Sequence, residues 1–173
     1  MIVIREERPA DGARVREINE LAFGQPLEAD LVDRLRANCA EALSLVAEDD
    51  PVVGHILFTP VVVESATRRI EGMGLAPMAV SPDRQRQGIG SQLVQRGLEL
   101  LRERRCPFVV VVGHPGYYPR FGFERASLHG LSSQWDGIDD AAFMVVILEA
   151  QAMTGVSGVA MYRHEFDEVP SSG

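Results

Sequence analysis

The stretch Pro107–Gly113, PFVVVVG, sets the first constraint on the fold. It is apolar and mostly β-branched, with no polar alternation. A run of this kind is covered on both faces, as the central strands of parallel or mixed sheets are. Such a strand needs a layer on each side, and a helix stands directly before it. From Gly88 to about Arg105 the apolar positions Ile89, Leu93, Val94, Gly97, Leu98, Leu100 and Leu101 form one wide helical face. Gln92, Gln95, Arg96, Glu99 and Arg102 fill the other face. Upstream, TRRIEGMGLAPMAV reads as a strand ending at Val80. Met78 to Gly113 is therefore a strand–helix–strand unit. Its strands are expected to be parallel or splayed, with a right-handed crossover.

The rest of the chain adds strands and helices to this unit. Ile2 to Ile4 is a short β-branched strand. Pro9, Asp11 and Gly12 mark a helix start, and Val15, Ile18, Leu21 and Ala22 recur at helical spacing. GQP breaks that helix, and Leu27, Leu31, Val32 and Leu35 indicate a second. Leu43, Leu45 and Ala47 open a hairpin that turns at Asp49, Asp50 and Pro51 and returns through Val52 to Val63. After PFVVVVG come a short turn or helix, a strand start at Phe121–Phe123 and a loop from Ser127 to Asp140. The strand AAFMVVILEA and a last edge strand in GVSGVAMYRHEFDEV follow. A hairpin-rich block before one crossover helix implies an α/β architecture: a mixed sheet with helices on both faces.

The chain has 173 residues, which suits one domain. That domain is expected over residues 1–168, with a flexible tail at 169–173. No apolar run reaches the roughly 18 residues of a membrane span. MIVIREERPADGARVRE places arginines and acids right after four apolar residues, unlike a secretory signal, so a cytoplasmic location is expected. Cys39 and Cys106 lie outside any CxxC and outside any zinc-type Cys/His spacing, and read as reduced structural thiols with no metal site. A formal net charge of -8 argues against nucleic acid as a general partner. The charge is uneven: six arginines and two acids lie between Arg84 and Arg105.

That basic segment begins with SPDRQRQGIGSQL, residues 81–93. A helix N-terminus presents free N–H groups and a partial positive charge. Glycines at 88 and 90 let an anion approach the backbone, Arg84 and Arg86 add mobile charge, and the first helical turn carries no acid. A phosphate could fill the place an acid usually takes. The same glycines also read as a tight strand-to-helix turn. Two nucleotide motifs are excluded. The chain contains no lysine, so there is no GxxxxGK[ST]; and residue 93 is Leu where a GxGxxG fingerprint requires glycine or alanine.

The residues Gln85-Arg86-Gln87-Gly88-Ile89-Gly90 match the Q/R-x-x-G-x-G/A signature of the GNAT superfamily, the acetyl-CoA-dependent N-acetyltransferases. MAVSPDRQRQGIGSQLVQRGLELL resembles that family's core motif in full, and Tyr118-Pro119-Arg120-Phe121-Gly122-Phe123 resembles its Y-x-x-x-G-F. VVGHPGYYPRFGFERA, VAEDDPVVGHILFTPV and GVAMYRHEFDEV are similar to a bacterial subgroup of predicted N-acetyltransferases.

The resemblance implies a GNAT-type fold, with a mixed sheet of about six or seven strands and about four helices. It implies acetyl-CoA as donor and CoA as product. The pyrophosphate would rest on backbone N–H groups of Gln85, Arg86, Gln87, Gly88, Ile89, Gly90 and Ser91. Met78, Ala79 and Val80 would run beside the pantetheine arm, one of their N–H groups holding the charge that develops on the acetyl oxygen. Tyr118 would protonate the departing sulfur as general acid, a phenol being protonated at neutral pH. Tyr117 is the rival donor, and Tyr117 and Phe121 would border the cofactor. His114 stands where many members have an asparagine. The acceptor would be an amine: a small molecule, a peptide or protein N-terminus, or a lysine. The candidates to take its proton are Glu71, Glu48, Asp49, His55, His114 or water, while Asp136, Asp139 and Asp140 lie in a loop where an amine could dock. Family members often dimerise, so a monomer or homodimer is expected. A non-catalytic acyl-CoA-binding module is the competing reading.

Overall fold

The computed structural model describes residues 1–168. The expected tail at 169–173 lies outside them. The chain divides into two compact units, one made of Met1–Thr59 with Ala76–Glu99, the other of Pro60–Leu75 with the residues from Leu100 onward. The strands β3 (Val52–Glu64) and β4 (Arg69–Val80) and the helix α3 (Ile89–Glu103) each run through both units.

In the first unit, β1 (Val3–Glu6) pairs antiparallel with β2 (Leu43–Glu48), and β2 with β3, at Ile4↔Ala47 and Leu45↔Ile56. Residues 52 to 59 of β3 are all buried. That continuous burial accounts for the lack of polar alternation in VVGHILFT and makes β3 a strand covered on both faces. The helices α1 (Gly12–Phe23) and α2 (Leu27–Asn38) carry apolar stripes at Val15 and Ile18 and at Leu31, Val32 and Leu35, all buried. Leu21 departs from expectation: it is 52% exposed, and Asn19 is buried in its stead. The Asn19 amide nitrogen donates to the Val15 carbonyl at 3.0 Å and meets His55 Nδ1 at 3.4 Å, while its Oδ1 is buried without a hydrogen-bond partner among the described residues. In α3, Ile89, Leu93, Val94 and Leu98 are buried as the periodicity predicts. Gly97 lies so close to Phe58 that a Cβ would stand 2.4 Å from the ring, which brings the helix tight against β3.

In the second unit, β5 (Phe108–Val112) is the central strand that its sequence predicts, with Phe108 to Val111 fully buried. It pairs parallel with β4 at Met73↔Val109 and Gly74↔Val110, and antiparallel with β8 (Phe143–Ile147) along its length. The strand expected to start at Phe121–Phe123 forms as the short β6 (Glu124–Arg125), which pairs with β8. Tyr118–Phe121 is a 3-10 turn ended by Gly122 at φ 97°. Two further expectations change. The segment 127–140 is not all loop, because Leu131–Ser133 forms β7. The last strand, β9 (Gly158–Met161), is not an edge: it pairs antiparallel with Val62 and Val63 of β3 and parallel with β7. Short strands such as β7 carry too few residues to show a period, so their partners decide them. The hydrogen-bonded path of the mixed sheet is β1-β2-β3-β4-β5-β8-β6, with β9 and β7 branching from β3. Nine strands and three α-helices stand among the described residues. No described helix is long and apolar enough to cross a membrane.

Candidate active site

The loop between β4 and α3 is tied to the strands on both sides. Ser81 N–H donates to the Val53 carbonyl at 2.8 Å, which fixes the loop's entry to β3. The Gln85 amide donates to the Val80 carbonyl at 3.0 Å and ties the loop back to the strand end. Arg86 and Gly88 then take positive φ, 64° and 81°. A left-handed residue beside a right-handed one is the backbone pattern of an anion-binding nest. At Gly88 no atom lies within 4 Å of a would-be Cβ, so the backbone faces open space. Gln85, Arg86, Gln87 and Gly88 are exposed, and the first turn of α3 contains no acid. Ile89 is buried, and only its backbone can serve a ligand; Gly90 and Ser91 are half-buried.

The two arginines differ, and here the structure corrects the view of both as mobile charge. Arg84 is anchored: its guanidinium donates to Asp49 Oδ2 at 2.7 Å and to Gln87 Oε1 at 3.2 Å. Arg86 is exposed and has no hydrogen-bond or ion-pair partner among the described residues. Arg86 alone is a free cation at the loop. Met78 and Val80, half-buried, and Ala79, buried, form the end of β4 that leads into it.

In the second unit, Tyr117, Tyr118 and Phe121 cluster at the 3-10 turn after β5. The Tyr118 ring packs edge-on to Tyr117 at 5.1 Å and to Phe123 at 5.6 Å. It lies against the backbone of Gly113, where a Cβ would stand 2.4 Å from Cε2. Its ring is buried, yet its hydroxyl has no hydrogen-bond partner among the described residues. A donor left open on a sealed ring is available to a ligand. Burial, with Tyr117 nearby, pushes the Tyr118 phenol above its usual range, so it stays protonated at neutral pH. Arg120 stacks over the ring of Tyr117, the rival donor, at 4.7 Å and donates to its backbone carbonyl.

The proton-acceptor candidates separate. His55 is fully buried, its Nε2 2.9 Å from Ser44 Oγ, and desolvation pushes it down to about 3; it is a core imidazole, not a base open to substrate. Asp49 is bound by Arg84 and by the Met1 amine, which hold its carboxyl below the usual range. Glu48 pairs with Arg5. Glu71 and His114 are exposed, as are Asp136, Asp139 and Asp140. Asp139 caps its own loop by accepting from the Ala141 N–H, and Asp140 pairs with Arg125.

One residue that the sequence does not single out belongs in this description. Tyr162, just after β9, is buried between Trp135 at 4.7 Å and Phe166 at 5.3 Å. Its ring lies over Gly74 of β4, where a Cβ would stand 2.7 Å from Cε2. Its hydroxyl also lacks a partner among the described residues, and Tyr118 adds to burial in raising its titration. Its only trace in the sequence is a glycine in the middle of a strand, which marks a close approach without naming the visitor.

Comparison with known proteins places this architecture. A family model described as Acetyltransferase (GNAT) domain matches residues 3–126. The uncharacterized N-acetyltransferase YhbS of Escherichia coli K12 is 38% identical over 168 residues, covering 96% of this chain and 99% of the relative. The crystal structure of E. coli YhbS in complex with CoA superposes with a TM-score of 0.90 at 37% identity, covering 98% of this chain and 93% of that one. A GNAT family acetyltransferase from Brucella melitensis, solved with acetyl-CoA, gives 0.77 at 36% identity, covering 96% and 99%. With a family model over most of its length and near full-length relatives, this chain belongs to the GNAT family of N-acetyltransferases.

Proposed function

We propose that the chain uses acetyl-CoA to acetylate a primary amine by direct attack on the thioester. The observation that carries this reading is the loop at 85–91. It combines two positive-φ residues, an acid-free helix start, open space over Gly88 and an Arg86 without a partner among the described residues, which together suit a phosphate-bearing donor. The relatives solved with CoA and acetyl-CoA support the same donor.

Acetyl-CoA supplies an activated acyl group. The N–H groups of residues 85–91 and the Arg86 guanidinium bind its pyrophosphate. Backbone N–H groups of Met78–Val80 run along the arm and stabilise the acetyl oxygen as the amine nitrogen bonds to the carbonyl carbon. As the C–S bond breaks, the Tyr118 hydroxyl gives its proton to the sulfur. With His55 sealed and Asp49 engaged, Glu71, His114 and water are left to take the amine's proton.

Calorimetry with CoA and acetyl-CoA tests the donor, and CoA release across a panel of primary amines and N-terminal peptides tests the transfer. Both ligands are expected to bind, and at least one amine to release CoA. Tyr118→Phe should cut turnover at least about tenfold while sparing CoA affinity. Unchanged turnover in that variant removes the role given to Tyr118. CoA binding with no release across the panel turns the reading to a non-catalytic acyl-CoA-binding module, and no CoA binding refutes it.

A further inference from the structure

Asp49 lies outside the strand–loop–helix motif, in the turn that joins β2 to β3. Its carboxylate accepts from Arg84 at 2.7 Å through Oδ2 and from the Met1 amine at 3.0 Å through Oδ1. The turn itself is closed by its own N–H, which donates to the Pro51 carbonyl at 2.9 Å. Arg84 passes the constraint on. Its Nε donates to Gln87 Oε1 at 3.2 Å, and its backbone N–H donates to the Ser81 carbonyl at 2.8 Å. Gln87 sits between Arg86 and Gly88, the two left-handed residues of the loop. The side chains of Asp49 and Arg84 are about three-quarters covered, at 26% and 28% exposure, so this ion pair is better shielded than an ordinary surface pair.

We propose that Asp49 is a positioning residue for the cofactor loop: through Arg84 it holds Gln87, and with it the backbone of 85–88, in the anion-receiving conformation. This role rests on the reading of the loop as the pyrophosphate site. The loop's positive-φ pair is intrinsically unfavourable at Arg86, which has a Cβ, and needs such outside support. Arg84, by its hydrogen bond, and the Met1 amine hold the Asp49 carboxyl below its usual range.

Simple electrostatics predicts the opposite effect for the same residue. A carboxylate near a polyanion site repels the ligand, so its removal would tighten binding. The sign of the change therefore separates positioning from charge. The experiment is CoA calorimetry on the full chain with Asp49→Asn, Arg84→Gln and the double variant, with melting temperatures for each. Asp49→Asn should weaken CoA binding about threefold to tenfold despite the added positive charge, Arg84→Gln should do the same, and the double variant should be no worse than the weaker single. Asp49→Glu should recover part of the loss. Tighter or unchanged binding in Asp49→Asn, or fully additive losses, overturns the role. If Asp49→Asn fails to fold, Gln87→Ala, which breaks the relay from Arg84 without changing any charge, decides alone, and unchanged CoA affinity there overturns it equally. Wild-type protein that binds no CoA removes the loop reading itself, a result distinct from binding that ignores Asp49.

Discussion

Gly113→Ala is the sharpest probe of how Tyr118 is held. Gly113 directly follows β5, and its N–H donates to the Ala142 carbonyl at 3.0 Å, a bond that alanine keeps. Its φ is not positive, so alanine meets no backbone strain. The only new atom is the Cβ, which would stand 2.4 Å from Tyr118 Cε2 and 3.0 Å from Cδ2. Ordinary contacts begin at 3.4 Å, so the ring must retreat by about 1 Å. Phe123 and Phe121, with centroids at 5.6 and 6.5 Å, stand around it and resist the retreat. Overpacking of this kind costs about 1–3 kcal/mol. A displacement of about 1 Å in a reacting group costs up to about a hundredfold in rate. The expected result is a stability loss of about 1–3 kcal/mol in urea titrations and a ten- to hundredfold lower kcat for CoA release. CoA affinity should be retained, because the proposed phosphate loop is built from other residues. In a Tyr118→Phe background, Gly113→Ala should cost little further turnover, since the proton donor is already gone. If Gly113→Ala leaves both stability and kcat unchanged, the ring does not lie on Gly113. If it lowers kcat as much in the Phe background as in wild type, its effect does not run through the Tyr118 hydroxyl.

Two other expectations follow from buried groups. His55 is pushed down to about 3 by burial, against about 6.5 in an unfolded chain. Between those values the unfolded state binds a proton that the native state refuses, so stability falls as pH drops below about 6.5, by roughly 2 kcal/mol at pH 5. Urea midpoints at pH 7, 6 and 5 should show this slope and His55→Asn should flatten it; Asp11, lowered to about 2 chiefly by the Arg5 hydrogen bond, acts only below about pH 4. Both thiols are buried, and burial pushes Cys106 up to about 11 while its Sγ donates to the Phe108 carbonyl at 3.2 Å. A disulfide thiol reagent at pH 8 should find no rapidly reacting cysteine in native protein and both after denaturation; a fast native thiol would contradict this packing.

Elements long enough to repeat a period are legible in the sequence. α3 shows seven positions of one apolar face; six of them are buried and Leu100 is half-buried. β5 is a continuous β-branched run and is covered on both sides. α1 shows the limit: Leu21 fits the helical spacing as well as Ile18, yet it faces solvent while Asn19 is buried. Periodicity reports which residues can share a face but not where the neighbouring element stops covering it. β9 has the same ambiguity. Four residues near the chain end read as an edge, and only the register with Val62 and Val63 shows that β3 extends to meet them.

The candidate site divides along the same line. Residues 81–91 carry their meaning locally. Glycine at 88, a helix start without acids and a neighbouring strand end are properties of adjacent residues, so the proposed anion-receiving turn is legible before the chain folds. The division of labour between Arg84 and Arg86 is not stated there, because it depends on Asp49, 35 residues away. Tyr118 is legible as a candidate from its resemblance to the family's Y-x-x-x-G-F, but the features that suit it to the proposed donor role are tertiary. They are the Gly113 backbone that admits the ring and the burial that keeps the phenol protonated. Tyr162 is wholly tertiary, since its place depends on a glycine in β4 that precedes it by 88 residues. Backbone conformation and helix polarity are set over a few residues. Burial, titration and ion-pair partnership depend on which distant surfaces meet, and only the folded chain decides that.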